Sequence, residues 1–91
     1  MAALRWGIVG TGEIAGTMAK VLRAVGSPVI AVGSGRPGAA ERFARDWGIP
    51  QAVQSAGAVA EIDEVDVVYV ATTNDRHLEN VLDCIERRRP V

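Results

Sequence analysis

The sequence predicts an α/β fold built on a parallel sheet, and three observations carry that expectation. Short apolar runs alternate with stretches of helical periodicity, no hairpin signal joins neighbouring runs, and the first run passes through glycines straight into a helical pattern. With 91 residues the chain has room for one domain and no more.

Leu4 to Val9 reads as the first strand, apolar enough to be buried on both faces. Ile14, Met18, Val21, Leu22 and Val25 then recur at helical spacing, until Gly26-Ser27-Pro28 stops the pattern. Val29 to Val32 makes a second strand and Gly33 to Gly38 a loop. Ala39 to Trp47 returns to helix with Ala40, Phe43, Ala44 and Trp47 inward, ended by Gly48. Gln51 to Gln54 is a short third strand and Ser55 to Ile62 a short helix. Val65 to Ala71 is a continuous β-branched run suited to a central parallel strand. After a turn at Thr72 to Asp75, Leu78, Val81, Leu82 and Ile85 mark one face of a last helix. Arg87, Arg88 and Arg89 lie at its end, where positive charge suits the macrodipole.

Right-handed crossovers arrange such a βαβαβαβα chain as a Rossmann-like half, with strand order 3-2-1-4 and helices on both faces. The sheet is expected to be incomplete, because Pro90-Val91 reads as the start of one more strand. Residues 1–91 are therefore expected to be one nucleotide-binding domain, a fragment of a longer two-domain protein.

Composition narrows the partners. Ten basic residues against eleven acidic ones leave a formal net charge of -1, which argues against nucleic acid as a partner. No apolar stretch approaches the ~20 residues of a membrane helix, and no signal-peptide pattern opens the chain. Cys84 is the single cysteine, which excludes an intramolecular disulfide or a cysteine-built metal site. A cytoplasmic location is the expectation, with no metal.

The chemistry starts at Gly7-Ile8-Val9-Gly10-Thr11-Gly12-Glu13-Ile14-Ala15, a G-x-G-x-x-A run between a strand and a helix. Gly10 permits the tight turn, Gly12 leaves room for a pyrophosphate against the backbone, and Ala15 lets helix pack close to strand. Gly10, Thr11, Gly12, Glu13 and Ile14 are the candidates for holding the pyrophosphate, through backbone N–H groups at the helix start. The competing reading is a plain strand-to-helix turn whose glycines serve geometry alone.

The second ribose of a dinucleotide gives a sharper test. NAD-selective sites place Asp or Glu about 20 residues past the glycines, whereas 2′-phosphate sites use Arg. From Gly33 to Ala40 there is no acid; Ser34, Gly35 and Arg36 offer a hydroxyl, open backbone and a guanidinium able to grip a phosphate. NADP is favoured over NAD on this ground, although Arg36 also fits a solvated loop position. Thr72, Thr73 and Asn74 follow a parallel strand at its carboxyl end, where ligands of open α/β sheets bind. They also suit the capping of the next helix.

Arg5 to Ala15, Ala31-Val32-Gly33-Ser34, Arg42-Phe43-Ala44 with Trp47-Gly48-Ile49-Pro50, and above all Val65 to Glu79 together resemble one family. It is the glucose-fructose oxidoreductase, inositol dehydrogenase and rhizopine-catabolism family, Gfo/Idh/MocA, in its N-terminal domain. The last stretch is similar to the family's D-x-V-x-x-A-T-P-N-x-x-H signature, with Thr73 in place of proline. The resemblance implies NAD(P) binding here, and oxidation or reduction of a sugar, polyol or related hydroxy or carbonyl compound with the help of a second domain. It places His77, the single histidine, near the nicotinamide end. The family's E-K-P motif, whose lysine serves catalysis, would follow Val91, so no catalytic residue is expected among these 91 and turnover by the chain alone is not expected. A noncatalytic Rossmann-like binding or assembly module is the alternative. Self-association is expected in either case, through the open edge of the last strand or uncovered helix faces.

Overall fold

The computed structural model describes residues 4–71. Within them, β1 (Trp6–Val9), β2 (Val29–Gly33), β3 (Gln51–Val53) and β4 (Val67–Val70) form one sheet in the order β3-β2-β1-β4. All three pairings are parallel, as the alternation with α1 (Glu13–Ala24), α2 (Ala39–Trp47) and α3 (Ala56–Ala60) requires. The expected strand order is thus observed. The last expected helix, with Leu78 to Ile85, lies outside the described residues.

Each strand sends alternate residues to opposite faces, and each face carries its own cluster. Ile8 and Val32 pack with Ala15 and Ala19 of α1 and with Ala40, Phe43 and Ala44 of α2. Val9, Ala31, Val68 and Val70 pack on the other face with Ala56, Val59 and Ala60 of α3 and with Val65. The helices therefore cover both faces, α1 and α2 on one and α3 on the other, as right-handed crossovers dictate.

Several boundaries differ from the sequence reading by one or two residues. The first strand begins at Trp6, leaving Leu4 exposed, and the fourth runs from Val67 to Val70. The starts of these two strands meet at one pair of residues. Arg5 N–H donates to Asp66 Oδ2 at 2.8 Å and Asp66 N–H donates back to the Arg5 carbonyl at 2.8 Å, so a side-chain clamp stands just ahead of both strands. The guanidinium closes it, Nε to Oδ2 at 3.2 Å and Nη2 to Oδ1 at 3.3 Å.

The inward face of α1 is set mainly by small residues. Its buried residues are Ala15, Ala19 and Leu22, while Ile14, Val21 and Val25 are 65%, 49% and 68% exposed. At 100° per residue, Gly16 lies on the flank toward α2, where a Cβ would stand 3.5 Å from Trp47 Cζ2. Ile14, Met18, Val21 and Val25 fall on the opposite flank. Small residues win the core positions because they let the helix axis come close to the sheet behind the glycine turn. Leu22 alone belongs to both sets.

Helix ends follow their local chemistry. Gly26, with φ 77°, ends α1 in a Schellman pattern: its N–H donates to the Arg23 carbonyl and that of Ser27 to the Leu22 carbonyl. Gly48, with φ 67°, ends α2. Ser55 caps α3, its Oγ accepting from Ala58 N–H at 3.1 Å.

Candidate functional site

Glycine geometry builds the turn after β1. Gly10 is buried with φ 113°, a conformation that excludes a side chain at little cost to glycine alone. Its N–H donates to the Gly33 carbonyl at 2.9 Å, which fixes the turn against the end of β2. Gly12 is the N-cap of α1 and offers no side-chain cap. Its carbonyl accepts from Gly16 N–H at 3.1 Å, so the N–H groups of Glu13, Ile14 and Ala15 have no acceptor within the helix. A Cβ built at Gly12 meets nothing within 4 Å. The glycine thus keeps open a space that its own fold does not fill, next to unused donors at a positive helix end.

The expected pyrophosphate residues Gly10, Thr11, Gly12, Glu13 and Ile14 are therefore brought together around one opening. Thr11 is half-buried. The Glu13 side chain is exposed and its carbonyl accepts from Thr17 Oγ1 at 3.1 Å, while the apolar side chain of Ile14 also stands in solvent. The Gly10 N–H is taken by the Gly33 carbonyl, so the main-chain donors that this set leaves to a ligand are those at the start of α1.

The loop after β2 forms the neighbouring wall. Ser34 is 8% exposed, and its N–H donates to the Val53 carbonyl at 3.2 Å, which ties the loop to the end of β3. Its Oγ accepts from Arg36 N–H at 3.2 Å, and the Arg36 carbonyl accepts from Ala39 N–H, also at 3.2 Å. The Arg36 side chain is exposed, in a short bridge between a buried serine and the start of α2. Gly38, with φ 75°, caps α2 without a side-chain bond.

Two features of this wall escape sequence reasoning. Gly33 has no space for a side chain, since a Cβ there would meet Val59 Cγ2 at 2.5 Å and the Ser55 carbonyl oxygen at 2.6 Å. Gly7 is crowded in the same way by Val59. The second feature is a hydrogen bond from Gln54 Nε2 to Glu41 Oε1 across the mouth of the loop. The only cue to the first was a glycine inside an apolar strand; nothing local pairs residues 41 and 54.

Thr72, Thr73, Asn74 and His77 lie outside the described residues. β4 ends just before them, beside β1 in register, with Val70 opposite Val9 and the Ala71 N–H on the Val9 carbonyl at 2.8 Å. At the other end of the sheet, hydrogen bonding to Asp66 raises the Arg5 pKa above the ordinary arginine value. Desolvation opposes this, and Asp66 and Glu64 add smaller Coulombic support. That pair lies far from the turn and holds strands together. Among the described residues, no three His, Cys, Asp or Glu side chains gather as a metal would need. No described helix is long and apolar enough to cross a membrane.

A parallel sheet in the order 3-2-1-4 with an open glycine turn at a helix start defines a dinucleotide-binding Rossmann domain. The family model for an oxidoreductase family with an NAD-binding Rossmann fold, Gfo/Idh/MocA, matches residues 4–91, and the chain belongs to that family. It is similar to trans-1,2-dihydrobenzene-1,2-diol dehydrogenase of Mus musculus, at 38% identity over 98% of this chain and 28% of the relative. It is also similar to 1,5-anhydro-D-fructose reductase of Ensifer adhaerens, at 33% identity over 96% of this chain and 26% of that relative. The chain spans about a quarter of the length of these curated relatives. Among solved structures, a 3-ketoreductase from Actinomadura kijaniata in complex with TDP-benzene and NADP superposes with a TM-score of 0.85. It is 29% identical, over 97% of this chain and 28% of that one. A myo-inositol dehydrogenase from Lactobacillus casei in complex with NAD(H) and myo-inositol shares the fold, with a TM-score of 0.86 at 24% identity over 97% of this chain and 27% of that one.

Proposed function

We propose that this chain is the NADP-holding part of an oxidoreductase acting on a sugar, polyol or related hydroxy or carbonyl compound. The carrying observation is the loop after β2, where Ser34 is buried, Arg36 is exposed beside it, and no acid lies between Gly33 and Ala40. The Gly10 to Ile14 turn fits the pyrophosphate, because its open space and unused N–H groups match a bulky anion. Arg36 is positioned to meet a 2′-phosphate as a bidentate donor, with the Ser34 hydroxyl fixing the loop. Thr72, Thr73, Asn74 and His77 belong to the nicotinamide side in this reading. A bound nicotinamide supplies the hydride acceptor or donor. The residues of this chain bind and orient it; the dihydrodiol and anhydro-sugar chemistry named for the curated relatives supports the substrate class.

The same reading makes residues 1–91 one domain of a longer two-domain protein, cytoplasmic, without nucleic-acid or membrane partners. It also holds that the chain self-associates, since β4 has an open outer edge among the described residues and α1 an uncovered apolar flank.

Titration of the purified chain with NADPH and NADH, followed by ligand fluorescence and repeated with Arg36→Ala, tests the cofactor reading. Saturable NADPH binding that weakens in the variant supports it. Binding of neither nucleotide overturns it.

A further inference from the structure

We propose that Gln54 is a positioning residue for NADP, acting by holding the Glu41 carboxylate away from the amino end of α2. This rests on the cofactor reading above and deepens it.

Glu41 is the third residue of α2 and the first acid after β2. A glutamate at this helix position ordinarily reaches back to the N–H groups of the first turn, where the helix end is positive. Here α2 has no side-chain cap at all, and Gly38 offers none. Glu41 Oε1 instead accepts from Gln54 Nε2.

Gln54 is well placed to do this. It directly follows Val53, whose carbonyl accepts the Ser34 N–H at 3.2 Å, so the strand end that anchors the loop also carries the amide that draws the glutamate aside. Ser34, Arg36 and the first turn of α2 then form a group with the exposed Arg36 guanidinium, while the Glu41 carboxylate of that turn is bonded to Gln54.

Two consequences follow for a nucleotide. A carboxylate returned to the α2 amino end would repel a 2′-phosphate and compete with it for Arg36, whereas it would accept from the 2′-hydroxyl of NAD. Cofactor preference therefore depends on where Glu41 is tethered, and Gln54 sets that tether. Both side chains are exposed, so the effect is electrostatic, modest and salt-sensitive.

The experiment measures NADPH and NADH affinities for wild type, Gln54→Ala and Gln54→Ala/Glu41→Gln, each at low and high salt. The expected result is a roughly three- to tenfold fall in the NADPH-to-NADH affinity ratio in Gln54→Ala, smaller at high salt, with the ratio restored in the double variant. A wild type that prefers NADPH while Gln54→Ala keeps the same ratio overturns this inference and leaves the cofactor reading standing. A lowered ratio that the double variant fails to restore overturns it as well, because the effect would not run through Glu41. A wild type that binds neither nucleotide removes the cofactor reading itself.

Discussion

The Gly10 N–H is held by the Gly33 carbonyl at 2.9 Å, and this bond joins the turn after β1 to the loop after β2. The two segments are far apart in sequence but are tied together here. Behind Gly33 stand Val59 and Ser55 of the opposite layer, with no room for a further atom. The position of the end of β2 is thus fixed by packing against α3.

Gly33→Ala should destabilise the chain by about 1–3 kcal/mol, the usual cost of overpacking a tight contact. Gly12→Ala should behave in the opposite way, folding with little loss because its Cβ meets nothing, while weakening nucleotide binding. Paired denaturation curves and nucleotide titrations on both variants check this. A folded, binding-competent Gly33→Ala chain would show that the strand end yields more easily than its contacts imply.

Arg36→Ala should lower NADPH affinity about tenfold and leave NADH binding little changed, the loss of one charge-assisted contact to a phosphate. The slope of NADPH affinity against salt should flatten in the same variant. Equal losses for both nucleotides would place Arg36 on a part they share.

The Arg5–Asp66 clamp has a defined pH range on the arginine side. Because the Arg5 pKa is raised in the folded chain, its contribution is complete below the ordinary arginine range and is lost only as pH rises through the higher folded value. The melting-temperature gap between wild type and Asp66→Ala should therefore stay level from about pH 7 to about pH 10 and shrink as salt is added. A gap that closes within that range would refute the assignment.

Ser55→Ala should cost about 1 kcal/mol through loss of the cap on α3, and Ser55→Asp should recover most of it. Thermal melts of the two variants side by side decide this.

Val21→Gln with Val25→Gln should leave the melting temperature nearly unchanged, since both side chains stand mostly in solvent, and should reduce self-association. Light scattering across a concentration series gives the measure. An unchanged mass would move the contact to the edge of β4.

Strand order, helix placement and the glycine turn after β1 were legible in the sequence because each rests on local chemistry: β-branched runs, glycines at fixed offsets, and the handedness of crossovers. The inward face of α1 was not legible. Periodicity picks out the large apolar residues, yet Ile14, Val21 and Val25 stand exposed while Ala15 and Ala19 are buried, because closeness to the sheet selects for small volume. The Gln54–Glu41 bond was beyond reach for a different reason. It joins residues of two elements whose proximity exists only once β3 has paired with β2. The crowding at Gly33 likewise appears only when α3 is laid across the sheet.

The four-stranded sheet separates its two apolar clusters completely, one holding Phe43 and Ile8, the other Val59 and Val68. Energetically they are near-independent compartments, so the cost of a truncation in one should add to the cost of a truncation in the other. Sequence drift can then rework the layer beneath α1 and α2 without consent from the layer beneath α3.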